Sequence, residues 1–251
     1  MLLALDVGNR KVKIALFDKN EITKKEIYSD FENLKTFLGN LKFSSVAISS
    51  VNPITAKRLL QYLQTRNIDE PFVLNHESVF NIRIGYKSPA SLGMDRVCGV
   101  EGANYLFGKK NKINSAIMTV DLGTATTINY LNKNKEFIGG AIAPGVYTMI
   151  KALEHNTALL PSVNPEDYRS FIGTDTPSSI VSGVINSTIG LIEMFYKKIK
   201  KEGNDLAVFI TGGNSMFILP YIELDYNYCA ELNLIGLKEI FKLNRKVKET
   251  R

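Results

Sequence analysis

The sequence predicts an α/β protein of two similar domains, each a mixed β-sheet flanked by helices. Three observations carry that prediction. First, an apolar run that reaches an aspartate and turns through glycine into another apolar run occurs twice, as LALDVGNRKVKIALF at 3–17 and IMTVDLGTATTINYL at 117–131. Second, each copy is followed by a further strand-like stretch and then by alternating helix and strand, the pattern of α/β folds. Third, the two aspartates, Asp6 and Asp121, stand 115 residues apart, too far for a solenoid repeat and about right for a duplicated domain.

In the first half, LLALDVG and KVKIALFD read as strands joined by a tight Gly-Asn turn, and EITKKEIY as a more exposed third strand. FENLKTFLGN has helical spacing, and FSSVAISSV is a buried strand by length and β-branching. NPITAKRLLQYLQTRN is an amphipathic helix with Asn52 as N-cap and Pro53 at its first position. PFVL is a short buried strand, and after GYKSPASLGMDR a helix runs through RVCGVEGANYLF.

In the second half, SAIMTVDLG, TATTINYL and KEFIGGAIAPG make three strands. The Gly139-Gly140 and Pro144-Gly145 pairs read as a bend into the next helix. Helices are expected over about 145–157 and 176–201, then the strand LAVFITGG, a helix and a strand. The Lys/Asn-rich GKKNKIN at 108–114 reads as a turn or loop. It is the best boundary, giving domains 1–113 and 114–251.

Composition narrows the function classes. Hydrophobic residues make up 45% of 251, enough for a real core without staples. Two cysteines with no CxxC and two distant histidines argue against a disulfide scaffold or a His/Cys metal cluster, and suit a reducing compartment. The N-terminus lacks the basic start of a secretion signal, and no apolar run nears the ~20 residues of a membrane helix. A cytoplasmic protein is expected. Net charge is +6, concentrated in KKIKKEGND and KEIFKLNRKVKETR, which read as a solvated helix end and a frayed tail. Without aromatic–basic interleaving, nucleic acid is not expected as a partner.

The doubled corner has a chemical reading. A tight turn offers backbone N–H groups, and glycine lets a phosphate come close. A carboxylate beside that phosphate repels it unless a cation lies between them. Asp6 and Asp121 at such turns therefore predict a metal ion or a positioned water, and two facing corners would clamp one polyphosphate. The plainer reading, ordinary Asp-x-Gly turn chemistry, weakens when the context is repeated. FITGGN at 209–214 is a third glycine corner, where Gly212 and Gly213 would let the chain pass under a flat ligand; Thr211 or Asn214 would equally cap the helix that follows. Asp95 and Arg96 together offer a proton acceptor for an alcohol and a guanidinium for a carboxylate. The bland alternative is a charge pair at a helix start.

In this order, Asp6-Val-Gly8-Asn9, Gly93-Met-Asp95-Arg96, Asp121-Leu-Gly123-Thr124-Ala125, Gly139-Gly140 with Pro144-Gly145, and Thr211-Gly212-Gly213 resemble type III pantothenate kinase, of the acetate and sugar kinase/Hsp70/actin superfamily. The likeness runs from residue 2 to about 240 and includes YKSPASLGMDR between the corners. It implies two ribonuclease H-like domains, a homodimer, and ATP-dependent phosphorylation of pantothenate to 4'-phosphopantothenate, the first step toward coenzyme A, with Mg²⁺. By resemblance Asp95 is the general base. The first corner, Asp6, Val7, Gly8, Asn9, Arg10, Lys11, Val12 and Lys13, contacts ATP with Thr124, and Gly212 and Gly213 lie by the adenosine. Pantothenate contacts map to Tyr86, Gly93, Met94, Asp95, Arg96 and Thr176, and a potassium or ammonium ligand to Asp121. Thr176 would also serve as N-cap of the long helix.

Two positions depart from the pattern. Arg10 stands where the family usually has Thr or Ser, and Asn129 where Asp is common. Two other readings stay open: a kinase for another small hydroxyl compound, and a non-catalytic nucleotide-binding regulator of the same fold.

Overall fold

The computed structural model describes residues 1–68, 70–110, 115–201 and 205–249. Contacts divide the chain into one unit of Met1–Lys112 with Glu231–Arg251 and a second of Ile113–Ala230.

The first unit opens with β1 (Leu2–Val7), β2 (Val12–Asp18) and β3 (Glu21–Tyr28), an antiparallel meander. α1 (Phe31–Gly39) begins at Asp30, whose carboxylate accepts the Asn33 N–H at 2.8 Å. β4 (Ser45–Ser50) returns parallel to β1. α2 (Pro53–Thr65) starts as the sequence predicts, with Asn52 accepting the Thr55 N–H at 3.1 Å and Pro53 in the first turn. β5 (Phe72–Val73) completes a sheet of order β3-β2-β1-β4-β5. The short β6 (Arg83–Ile84) and a 3₁₀ turn at Pro89–Ser91 lead into α3 (Met94–Lys110). Leu3, Leu5, Ile14, Ile48, Leu34 and Leu59 fill the core between sheet and helices.

The second unit repeats the plan. β7 (Ala116–Leu122), β8 (Ala125–Leu131) and β9 (Glu136–Pro144) form the meander. α4 (Val146–Asn156) and α5 (Thr176–Lys201) follow, then β10 (Leu206–Thr211) parallel to β7, α6 (Ser215–Ile218) and β11 (Asn227–Tyr228). Among the second unit's own strands the order β9-β8-β7-β10-β11 repeats that of the first unit, within a sheet that β6 extends to six strands. The expected architecture of two mixed sheets flanked by helices is therefore present, and its duplication extends to strand order.

Three expectations are corrected. Gly139 and Gly140 are not in a bend but inside β9, paired with Tyr130 and Asn129; only Pro144-Gly145 makes the turn into α4. α3 runs on to Lys110 through part of the stretch read as a loop, and 111–114 lie outside the described residues. α5 has an 18-residue window of mean hydropathy 1.3, enough by length and composition to cross a membrane, although it holds no continuous apolar run of that length. Its Val181, Val184, Ile185 and Ile192 are buried in the core of the second unit.

The third correction concerns the basic tail. It is no frayed end but α7 (Leu232–Glu249), and it belongs to the first unit rather than to the domain 114–251 expected from the sequence. α7 lies so close to α3 that a Cβ on Gly236 would run into the Cys98 carbonyl. Lys238, 1% exposed, places its ammonium 2.9 Å from Glu239 and within 5.1 Å of the Phe17 and Tyr105 ring centres. Lys25–Glu231 at 2.5 Å ties the helix start to β3.

Glycines in the two long helices should respond oppositely to alanine. Gly236→Ala forces α3 and α7 apart and should lower Tm by ~4–8 °C, from ~2 kcal/mol of overpacking. At Gly183, exposed in α5, a Cβ meets nothing, and Gly183→Ala should raise Tm by ~1–4 °C through helix propensity. Differential scanning calorimetry of both variants checks the pair.

Candidate active site

Asp6 is the penultimate residue of the central strand β1. Its neighbours in register are Lys13 on antiparallel β2 and Ser49 on parallel β4. Asp121 is likewise penultimate in β7, with Thr127 on β8 and Thr211 on β10. The two aspartates thus share one position in one topology. Both corners close through a glycine N–H: Gly8 donates to Lys11 O at 3.0 Å, and Gly123 to Ala125 O at 3.0 Å. The first loop, Gly8 to Lys11, is one residue longer, and its Asn9, Arg10 and Lys11 are exposed. Lys11 therefore sits in the turn, not on the strand face with Lys13; Val7 and Val12 are buried beneath.

α3 brings the second group of predicted residues to the first unit's corner. Met94 is buried at its first position, and Asp95 follows in the positive first turn, where a carboxylate is favoured. One Asp95 oxygen accepts the Arg96 N–H at 2.8 Å. A Cβ on Gly93 would fall 2.6 Å from that same oxygen, so glycine leaves room for the carboxylate. Arg96, 7% exposed, lies with its guanidinium 5.7 Å from the ring centre of Tyr86.

Cys98, one turn on, reports how near these groups are. Burial pushes its thiol well above the ordinary value, and the charge of Asp6 adds to the rise, with further pushes from Asp95 and Glu101. The Ser49 hydroxyl beside it acts in the opposite sense, although it is too poorly placed for a regular hydrogen bond and is otherwise unpartnered. Asp6 and Asp95, 89 positions apart in the chain, thus bear on one buried atom.

In the second unit the corner is braced from two sides. Asn214 donates its amide Nδ2 to Gly123 O at 2.7 Å and its backbone N–H to Leu122 O at 2.8 Å. The Thr124 carbonyl accepts the Gly145 N–H at 3.0 Å and the Thr148 hydroxyl at 2.6 Å. A Cβ on Gly145 would strike the Gly123 carbonyl, and Gly212, at φ +104°, rests on the Leu122 backbone. Gly212, Gly213 and Thr124 are therefore brought together, with Thr124 and Gly213 exposed. Asn214 does not cap α6 with its side chain; it spends that amide on the corner.

Thr176 is the exposed first residue of α5 and not its cap. Asp175 is, accepting the Ser178 N–H at 2.8 Å and the Ser178 hydroxyl at 2.6 Å, which hold its carboxyl below the usual range. Asn129, 2% exposed, donates to Thr119 Oγ1 at 3.0 Å across β7 and β8, a structural use for an amide at that position. Among the described residues no three His, Cys, Asp or Glu side chains form a metal-binding group.

Sequence reasoning missed Glu101, Asn214 and Thr148. Asn214 was weighed only as a cap. The signal for Glu101 was its place among Val97, Cys98 and Val100, an apolar helix face that a solvated glutamate would not share.

Two sheets that repeat one strand order, each with an aspartate corner at the end of its central strand, make a duplicated α/β fold of actin-like architecture. A profile for type III pantothenate kinase matches residues 2–198. Curated type III pantothenate kinases of Cytophaga hutchinsonii, 33% identical over 97% of this chain and 100% of the relative, and of Thermosipho melanesiensis, 34% identical over 94% and 96%, match nearly end to end. The chain belongs to the type III pantothenate kinases. Solved structures agree on the fold. A Campylobacter jejuni protein described as a Baf-family transcriptional activator superposes with TM-score 0.63 at 22% identity, over 97% of this chain and 99% of that one. A ROK hexokinase of Thermus thermophilus does so with TM-score 0.52 at 10% identity, over 95% and 97%.

The two thiols should separate cleanly by reactivity. At pH 8 a thiol–disulfide reagent should label half-buried Cys229 within minutes and Cys98 only after denaturation. Mapping the labelled peptides by mass spectrometry checks this.

Proposed function

We propose that this kinase transfers the γ-phosphoryl group of ATP to the primary hydroxyl of pantothenate, giving 4'-phosphopantothenate, with Asp95 as general base. The observation that carries the reading is the placement of Asp95 and Arg96 in the first turn of α3, close enough to the Asp6 corner for both carboxylates to raise the Cys98 thiol.

Phosphoryl transfer depends mainly on positioning and charge neutralisation. The Asp95 carboxylate takes the hydroxyl proton as the alcohol oxygen bonds to the γ-phosphorus. The bond from that phosphorus to the β–γ bridging oxygen breaks, and ADP leaves with the electron pair. Arg96 would bind the carboxylate of pantothenate, for which a planar guanidinium is suited, and Tyr86 would border the same ligand. Asp6 and Asp121 serve better against cations than as bases, because each stands at a phosphate turn.

The phosphate contacts assigned to ATP are the Asp6–Lys13 corner in the first unit and Thr124 in the second, with Gly212 and Gly213 by the adenosine. In the exposed first turn Arg10 would meet phosphate with a full charge where a hydroxyl is usual. The donor set fits Mg²⁺, which takes one or two carboxylates and otherwise phosphate and water oxygens. Bound there it would neutralise phosphate charge. A potassium or ammonium ion is assigned to Asp121, since hard oxygen donors suit it. A homodimer in the cytoplasm completes the reading, as the family resemblance implies.

The deciding assay is ADP release with ATP, Mg²⁺ and K⁺, with and without pantothenate. Pantothenate-dependent release is expected; ATP binding without release would favour another substrate or a regulatory role. Asp95→Asn should lower kcat by ~10²–10⁴-fold while leaving ATP affinity by calorimetry within about twofold. Near-normal turnover in that variant would remove the base assignment. Replacing K⁺ by Na⁺ should abolish most of the turnover, and equal rates in the two salts would dismiss the cation role of Asp121.

A further inference from the structure

We propose that Glu101 is a positioning residue for substrate recognition, pegging the segment that carries Tyr86 to the helix that carries Asp95 and Arg96. The inference rests on the pantothenate reading of Tyr86 and Arg96 and adds to it a residue that touches neither substrate.

Glu101 is 1% exposed and lies on α3, five residues after Arg96. No ion pair of its carboxylate is found among the described residues. Instead it accepts three hydrogen bonds from one short stretch: the Asn81 N–H at 2.6 Å, the Ile82 N–H at 3.2 Å and the Asn81 Nδ2 at 3.2 Å. Burying a carboxylate is costly, and only donors that recover its hydration make the position tolerable. Burial raises its pKa, while the Asn81 and Ile82 donors pull the other way.

The stretch so held has little structure of its own. Beyond the two-residue β6, residues 75–88 form neither helix nor strand. A second peg holds it from α7: Asn244 accepts the Val79 N–H at 2.9 Å and donates to the Val79 carbonyl at 2.9 Å. The two pegs fix residues 79–82, and four residues later Tyr86 sets its ring 5.7 Å from the Arg96 guanidinium. Arg96 and Glu101 share a rigid helix, so the peg sets the height of Tyr86 over Arg96. A segment this short transmits a displaced anchor to the ring, and a misplacement of about 1 Å can cost ~10²-fold in a positioned reaction.

The test compares substitutions that keep or remove the acceptor. Glu101→Leu leaves the two N–H groups without partners and should raise KM for pantothenate ~10-fold or more, with KM for ATP within about twofold. Glu101→Gln keeps an oxygen for both N–H groups and lets the Asn81 amide turn, so it should restore KM to within about twofold. In a Tyr86→Ala background, Glu101→Leu should add less than about twofold, because its effect passes through Tyr86. Amide hydrogen exchange gives a readout independent of catalysis: Asn81 and Ile82 should lose protection in Glu101→Leu while the amides of α3 keep theirs. If Glu101→Leu does not fold, Glu101→Asp, which draws the anchor back by one methylene, should move KM and exchange in the same directions.

Equal rises in both KM values, or effects of Glu101 and Tyr86 that simply multiply, would overturn the positioning role. So would unchanged exchange at Asn81 and Ile82. No pantothenate-dependent ADP release by the wild-type enzyme would overturn the substrate reading instead, and loss of protection at residues 81 and 82 would then show the peg itself intact.

Discussion

A carboxylate at the end of a buried central strand is the constraint on which each unit turns. β1 and β7 are apolar along their length because they pair on both edges and are covered by helices. Within two residues of leaving the sheet each must set an aspartate between two neighbouring strands. Such a group is tolerated only where polar hydrogens or cations can reach it. In register beside Asp6 stand Lys13 and Ser49, and beside Asp121 stand Thr127 and Thr211, although the Ser49 hydroxyl makes no regular hydrogen bond among the described residues and that of Thr211 donates to the Ala230 carbonyl. In the first unit the start of α3 adds the positive end of its helix.

The two corners then diverge. The first is four residues long, carries Arg10 and Lys11 in the open, and has α3 for a neighbour. The second is shorter and its carbonyls are occupied: Gly123 by Asn214, Thr124 by Gly145 and Thr148. One topology thus yields an exposed, cationic turn in one unit and a braced turn in the other. The brace also links the glycine pair after β10 to the corner after β7 without a shared segment of chain.

Much of this was legible beforehand because the signals are local. The paired hairpins follow from apolar alternation and glycine turns, and α2 from Asn52 and Pro53 alone. Asp6 and Asp121 could be singled out by the repeated strand and glycine turn around them, Asp95 and Arg96 only through the ordered set of motifs that carries the family resemblance. Cap assignments were less secure: at α5 the neighbouring Asp175 outcompeted Thr176, since a carboxylate receives two donors from Ser178. Gly139 and Gly140 read as a bend yet lie in a strand, where Gly140 permits the close backbone of β8.

The sequence by itself determined the elements, their duplication and the residue types at each corner, because strand period, turn chemistry and helix starts act over a few neighbours. Only the tertiary structure decided where α7 docks, and that a lysine read as solvated would be buried against Phe17 and Tyr105. It also decided that Asn214 serves Gly123, and that Glu101 receives the backbone of residues 81 and 82. Each of these joins groups 19 to more than 200 positions apart. Their energy comes from desolvation and close packing, which exist only once the sheets have brought distant chain together.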